Sequence, residues 1–124
     1  MRLLVCGDRN WNDRKAIYRQ LDRWLAAYPN EHLVLIEGGA RGADAIAGTW
    51  ADDRGIEHLR FPADWKRYGR GAGPVRNRQM LNEGHPSLVF AFHNDLDASK
   101  GTRDMVECAR QAGVLVRVFA SSSP

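Results

Sequence analysis

Short apolar runs alternate five times with stretches of helical periodicity, and this predicts an α/β fold. The connections are short and punctuated by glycine and proline, which favours one domain with a five-stranded, mainly parallel sheet and helices on both faces. A length of 124 residues suits a single core, and 44% hydrophobic with 27% charged residues is ordinary globular composition.

Each element has its own warrant. Arg2 to Gly7 (RLLVCG) is a short apolar run closed by glycine, a buried strand. From Asp13, the residues Ala16, Ile17, Leu21, Trp24, Leu25 and Tyr28 recur at helical spacing until Pro29-Asn30 stops them. His32 to Ile36 reads as a second strand. Ala43, Ile46, Ala47, Trp50 and Ala51 mark a helical face that ends at Gly55. Glu57 to Phe61 is a more polar strand, placed nearer an edge, and Pro62 to Ala72 is a long loop without period.

A third helix opens at Gly73-Pro74, because proline suits a first turn, and runs to about Glu83. Ser87 to His93 is a strand, Asn94 to Lys100 a loop, and Thr102 to Ala112 a helix capped by Gly113. Val114 to Phe119 is the fifth strand. Residues 1–119 thus form a single Rossmann-like domain, with 120–124 (ASSSP) as a flexible tail.

Bulk properties narrow the class of function. The start MRLLVCGDRNW lacks a secretory signal, and every apolar run is broken by charge before it could cross a bilayer. Cys6 and Cys108 lie far apart outside any Cys-x-x-Cys pair, so buried free thiols are expected. These features suit a reduced, cytoplasmic protein with no membrane partner. A net charge of +3 permits nucleic-acid binding without demanding it. The run KRYGRGAGPVRNR, from Lys66 to Arg78, carries five bases and no acid, as either a solvated loop or an anion site. The four histidines show no metal spacing, so neither a metal nor a cofactor is expected.

In a parallel sheet the strand-to-helix loops gather at the carboxyl edge, where open α/β folds bind ligands. Four loops should meet there: GDRNWND, EGGARGAD, FPADWKRYGRGAGPVRN and HNDLDASKGTRD. The second and fourth bring glycine to a helix N-terminus, where free amides and the helix dipole favour an anion. A phosphate, or a sugar carrying one, would fit. The spacing is only half of a dinucleotide fingerprint, and no P-loop is present. Tight turns alone would also explain these glycines.

Gly7-Asp8-Arg9, GGARGAD, Trp50-Ala51, FPADW, AGPVRNRQM and KGTRDM, in this order, resemble the YspA-like (cpYpsA-related) family of bacterial and phage proteins within the SLOG superfamily. The resemblance spans Arg2 to Val118. It implies a Rossmann-like fold binding a nucleotide or nucleotide-derived ligand, as a sensor or as an enzyme. The Lonely Guy phosphoribohydrolases and the DNA-processing protein A fold are more distant relatives within that superfamily. In Arg76-Asn77-Arg78-Gln79-Met80 the motif is similar to the Lonely Guy arginine helix, which would make Arg76 catalytic. Lys100-Gly101-Thr102-Arg103-Asp104 looks like a shortened glutamate loop, which would make Asp104 the catalytic carboxylate. Asp104 is one methylene shorter than glutamate, and Asp97-Ala98-Ser99 stands where that loop has Pro-Gly-Gly, so the binding scaffold carries over better than the hydrolysis.

The candidate ligand-binding residues are therefore Gly7, Arg9, Gly38, Gly39, Arg41, Gly42, Asp44, Asp64, Trp65, Asn77, Lys100, Gly101 and Thr102, with Arg76 and Asp104 as the candidate catalytic pair. Plainer roles stand beside these. Asp8, Asp44 and Asp64 would either take ribose hydroxyls or cap turns and helices. Asp104 would either serve the cleavage of an N-glycosidic bond or simply favour its helix dipole. Trp11 and Trp65 would either stack on a base or pack a loop. A nucleic acid held by the Lys66–Arg78 loop ranks behind a nucleotide as partner. A homodimer through Trp24 or Tyr28 is left open, since core packing explains both residues equally well.

Overall fold

The computed structural model describes residues 1–121. Five strands run β1 (Arg2–Gly7), β2 (Val34–Glu37), β3 (Glu57–Arg60), β4 (Leu88–Phe92) and β5 (Leu115–Phe119). They form one sheet in the order β3-β2-β1-β4-β5, and all four pairings are parallel. The direction of winding reverses between β1 and β4, so their carboxyl ends diverge into a crevice.

The three central strands are near-continuous apolar runs because both of their faces are covered. Helices α1 (Arg14–Ala27) and α2 (Ala43–Arg54) cover one face, where Ile17, Leu21, Trp24 and Trp50 pack on Leu3, Val5 and Leu35. Helices α4 (Ala72–Gly84) and α5 (Lys100–Gln111) cover the other, where Met80, Met105 and Val106 pack on Leu4, Ile36 and Val89. Trp24 is buried against Trp50, with ring centroids 6.2 Å apart. Among the described residues, no helix is long and apolar enough to cross a membrane.

Local chemistry sets the helix ends. The Asp13 carboxylate accepts the Ala16 N–H at 3.1 Å and starts α1, and the Ser99 hydroxyl accepts the Thr102 N–H at 3.1 Å and starts α5. Gly55 ends α2 in the left-handed conformation. Several stretches differ from the sequence expectation, among them β2, which runs Val34–Glu37 instead of His32 to Ile36. The loop 62–72 contains a short helix, α3 (Trp65–Tyr68), and a 3-10 turn at Gly69–Gly71, because Asp64 caps the Arg67 N–H at 3.1 Å. Helix α5 begins at Lys100, two residues early, behind the Ser99 cap.

Just beyond β5, Ser121 donates its N–H to Asn94 Oδ1 at 2.6 Å and its hydroxyl to Asp13 Oδ2 at 2.7 Å. The rest of the expected tail, 122–124, lies outside the described residues.

Candidate functional site

The loop after β2 is organised by two buried carboxylates. Glu37, the last residue of β2, is fully buried. Its Oε2 accepts from Arg60 Nε at 2.7 Å and meets His58 Nε2 at 2.6 Å, while Oε1 accepts the Gly39 N–H. Asp44, in the first turn of α2, is 6% exposed and its Oδ2 accepts from the N–H groups of Gly38 (3.1 Å) and Ala40 (3.3 Å). Burial, with the neighbouring Glu37 charge, pushes the Asp44 carboxyl up to about 7, against the opposing pull of Arg76. Three amides that glycine seemed to free for a ligand are thus taken by the protein itself. Asp44 fixes the loop, and Gly42 is the N-cap of α2.

The other glycine positions on this side are steric. Gly42 sits at φ +76°, where a Cβ would collide with the backbone carbonyls of Asp8 and Arg9. A Cβ on Gly38 would lie 2.8 Å from Arg76 Cζ, and one on Gly7 2.7 Å from Ala43 Cβ. Space removed from these glycines lets the loop close on β1 and on the Arg76 guanidinium.

Helix α4 supplies the opposite wall. Arg76 donates to the Gly38 carbonyl and, through Nε, to Asn77 Oδ1 at 3.1 Å. Asn77 is buried, and its Nδ2 donates to Asp104 Oδ2 at 3.0 Å and to the Gly101 carbonyl at 3.4 Å. Asp104 also meets Arg78 at 3.6 Å and accepts from the Cys108 thiol at 3.7 Å. Burial, then the Asp104 charge, raises the Cys108 pKa. The Cys6 thiol, beneath the crevice, is also raised, chiefly by burial.

Two cavities open along the carboxyl edge. One, of about 300 Å³, lies over the β1–β4 crevice and is lined by Gly7, Arg9, Arg41, Asp44, Arg76, Asn77, Gly101 and Thr102 from the predicted set. The second, of about 460 Å³, is lined by Gly38, Gly39 and Trp65, with Pro62 and Ala63. Arg9, Ala40, Arg41 and Arg76 line both, so the cavities are two halves of one groove. Trp65 is half exposed, with the Arg9 guanidinium 5.6 Å from its ring centroid. Trp11 instead packs edge-on against Phe92 at 5.7 Å, and its Nε1–H donates to the Asp13 carbonyl at 2.8 Å.

The predicted residues Gly42, Asp64, Lys100 and Asp104 do not line either cavity. Asp64 is used as the α3 cap, and Asp104 braces α5 against α4. Residues that the sequence reading did not assign to the site also line it, among them Asn10, His93 and Ser99. Asn10 accepts from Arg41 at 3.3 Å and positions that arginine over the crevice. Among the described residues, no three His, Cys, Asp or Glu side chains converge as a metal site.

Comparison with known proteins identifies the family and the fold. Residues 1–68 match the YspA, cpYpsA-related SLOG family. The Gene 61 protein of Mycobacterium phage D29 is 38% identical over 123 residues, covering 95% of each chain. The chain belongs to this SLOG family. The resemblance carried by its motifs therefore holds. DNA processing protein A from Streptococcus pneumoniae has a similar fold, with a TM-score of 0.66 at 22% identity over 96% of the present chain. The SLOG chain spans 49% of that protein's length, and the likeness is one of fold.

Proposed function

We propose that this SLOG protein binds a nucleotide or nucleotide-derived ligand along the carboxyl edge of its sheet. One observation carries the reading: the two cavities share Arg9, Arg41 and Arg76, and end on Trp65 at one side and on the start of α5 at the other. A flat base suits the exposed indole face. An anionic group suits the guanidinium forks and the N-terminal end of α5, where the Thr102 amide is taken by the Ser99 cap. Gly101 adds room there, because nothing lies within 4 Å of where its Cβ would be. Membership of the SLOG family supports a function related to nucleotides or nucleic acids.

Hydrolysis of an N-glycosidic bond draws less support. Asp104 is held by Asn77, Arg78 and Cys108 behind the groove, and Asp44 is spent on backbone amides. A nucleic acid is the second reading. It is favoured by exposed Trp65 and Tyr68 amid Lys66, Arg67 and Arg70, a stacking-and-charge combination that holds single strands. The fold neighbour's description as a DNA processing protein is consistent with it.

Thermal unfolding against mono-, di- and cyclic nucleotides separates these readings. A ligand at 100 times its Kd stabilises by about 2.7 kcal/mol, and Arg41→Ala should lose most of that shift because Arg41 faces both cavities. If no nucleotide raises the melting temperature while single-stranded DNA binds with steep salt dependence, the second reading replaces the first.

A further inference from the structure

Between the two ends of the groove sits a pair of side chains whose hydrogen-bonding capacity is unusually well fixed. Asp8 follows β1 and His93 follows β4, so they face each other across the point where the winding reverses. Both line the crevice cavity. Asp8 Oδ1 already accepts the Asn10 N–H at 2.8 Å, leaving Oδ2 turned toward the histidine. His93 Nδ1 accepts the Asp95 N–H at 2.9 Å. A ring nitrogen that accepts from a backbone amide carries no proton, so in the neutral ring the proton is on Nε2. His93 therefore offers a donor to the cavity, and Asp8 an acceptor.

The gap between them is 4.0 Å, from His93 Nε2 to Asp8 Oδ2. That is too long for a direct hydrogen bond, yet one oxygen at about 2.8 Å from each fits between them. The bridging oxygen must accept from Nε2–H and donate to Oδ2. A hydroxyl does both. An ionised phosphate oxygen has no proton to give the carboxylate, and an ammonium has no lone pair for the imidazole N–H.

We infer that Asp8 and His93 form a hydroxyl-reading clamp, which makes the ligand a sugar-bearing one, a ribonucleotide rather than its deoxy analogue. This deepens the nucleotide reading and rests on it. The sugar lies over β1 and β4, between a base directed toward Trp65 and an anionic group at the start of α5. Leaving the clamp unfilled costs the ligand a charge-assisted hydrogen bond, and sites built around a substrate hydroxyl discriminate strongly against its absence.

The test is calorimetric titration of the full chain with the four ribonucleoside 5′-monophosphates and their 2′,3′-dideoxy counterparts. The expected result is a preference of about tenfold or more for the hydroxyl-bearing member of at least one pair. Asp8→Asn, which keeps an oxygen for the Asn10 N–H, and His93→Phe, which removes the donor, should each bring that ratio toward one. Equal binding of both members by the unaltered chain overturns the clamp and leaves the nucleotide reading standing. A preference that survives both substitutions also overturns it, because the hydroxyl is then read elsewhere. Binding of neither member overturns the clamp, and the nucleotide reading falls with it if the di- and cyclic nucleotides also leave the melting temperature unchanged.

Discussion

The glycine loops after β2 and before α5 look alike in sequence and differ in what fills them. In residues 37–44 the space beside Gly38 holds Arg76, and that beside Gly42 holds the Asp8 and Arg9 carbonyls. The amides there bond Glu37 and Asp44. At Gly101 the equivalent space is open, and the residue lines the crevice. One loop is packed into the fold and presents Arg41, whereas the other is a helix start, capped at Thr102 by Ser99, with open space beside Gly101 facing the cavity. Glycine content alone does not distinguish a cradle for a ligand from a cradle for the protein's own carboxylates.

Substituting one glycine in each loop is the sharpest way to break this contrast. Gly42→Ala forces a Cβ into two backbone carbonyls at φ +76° and should cost on the order of 4 kcal/mol or more in urea unfolding. Gly101→Ala meets open space and should cost less than about 1 kcal/mol, a helix N-terminus being tolerant of alanine. Similar losses at both positions would refute the contrast.

Much of the fold was legible because its signals are local. Buried strands read as unbroken apolar runs, α1 carries a full helical stripe, and Gly55 stops α2 where the periodicity ends. Helix α3 was missed because four residues are too short to show a period, although Asp64 was available as a cap. The site was legible as a set of loops and less so as a set of roles. In sequence Glu37 reads as the first residue of the loop after β2, not as the buried end of that strand. Its burial depends on β3 pairing beside β2, which sets Arg60 opposite Glu37 and His58 opposite Leu35. A glutamate closing an apolar strand, next to a strand reading His-x-Arg, was the available signal. His93 was weighed only for metal spacing, and the role inferred for it depends on the Asp95 amide donating to its Nδ1.

The next-largest effect tests whether the first loop is held by a carboxylate poised to lose its charge. Folding lifts the Asp44 pKa from 3.8 to about 7. Between those values the folded chain keeps a proton that the unfolded chain has released, so stability falls as pH rises through this window and levels off above it. Asp44→Asn retains an acceptor for Gly38 and Ala40 and removes the titration. Relative to the unaltered chain, the variant should therefore gain on the order of 3 kcal/mol between pH 4 and pH 7.5, read as the difference between paired urea curves. A difference that stays flat with pH would mean that Arg76 holds Asp44 ionised throughout.

The smallest effect on stability comes from the residue expected to matter most to a ligand's base. Trp11 lies in the loop after β1 and Trp65 opens α3, both at the carboxyl edge, but Trp11 is 5% exposed and Trp65 50%. Burying an indole is worth several kcal/mol, whereas a half-exposed one contributes a small part of that. Trp65→Ala should lower the free energy of urea unfolding by under about 0.5 kcal/mol and weaken nucleotide binding by about 1–3 kcal/mol, the range measured when an aromatic stacking partner is removed. Arg9 sharpens the result. Its guanidinium lies over the Trp65 ring, so Arg9→Met, which keeps the aliphatic stem and removes the charge, separates base stacking from phosphate attraction. If Trp65→Ala unfolds the chain, α3 is a structural prop. If it leaves both stability and nucleotide affinity untouched, the second cavity is solvent and the ligand is confined to the crevice between β1 and β4.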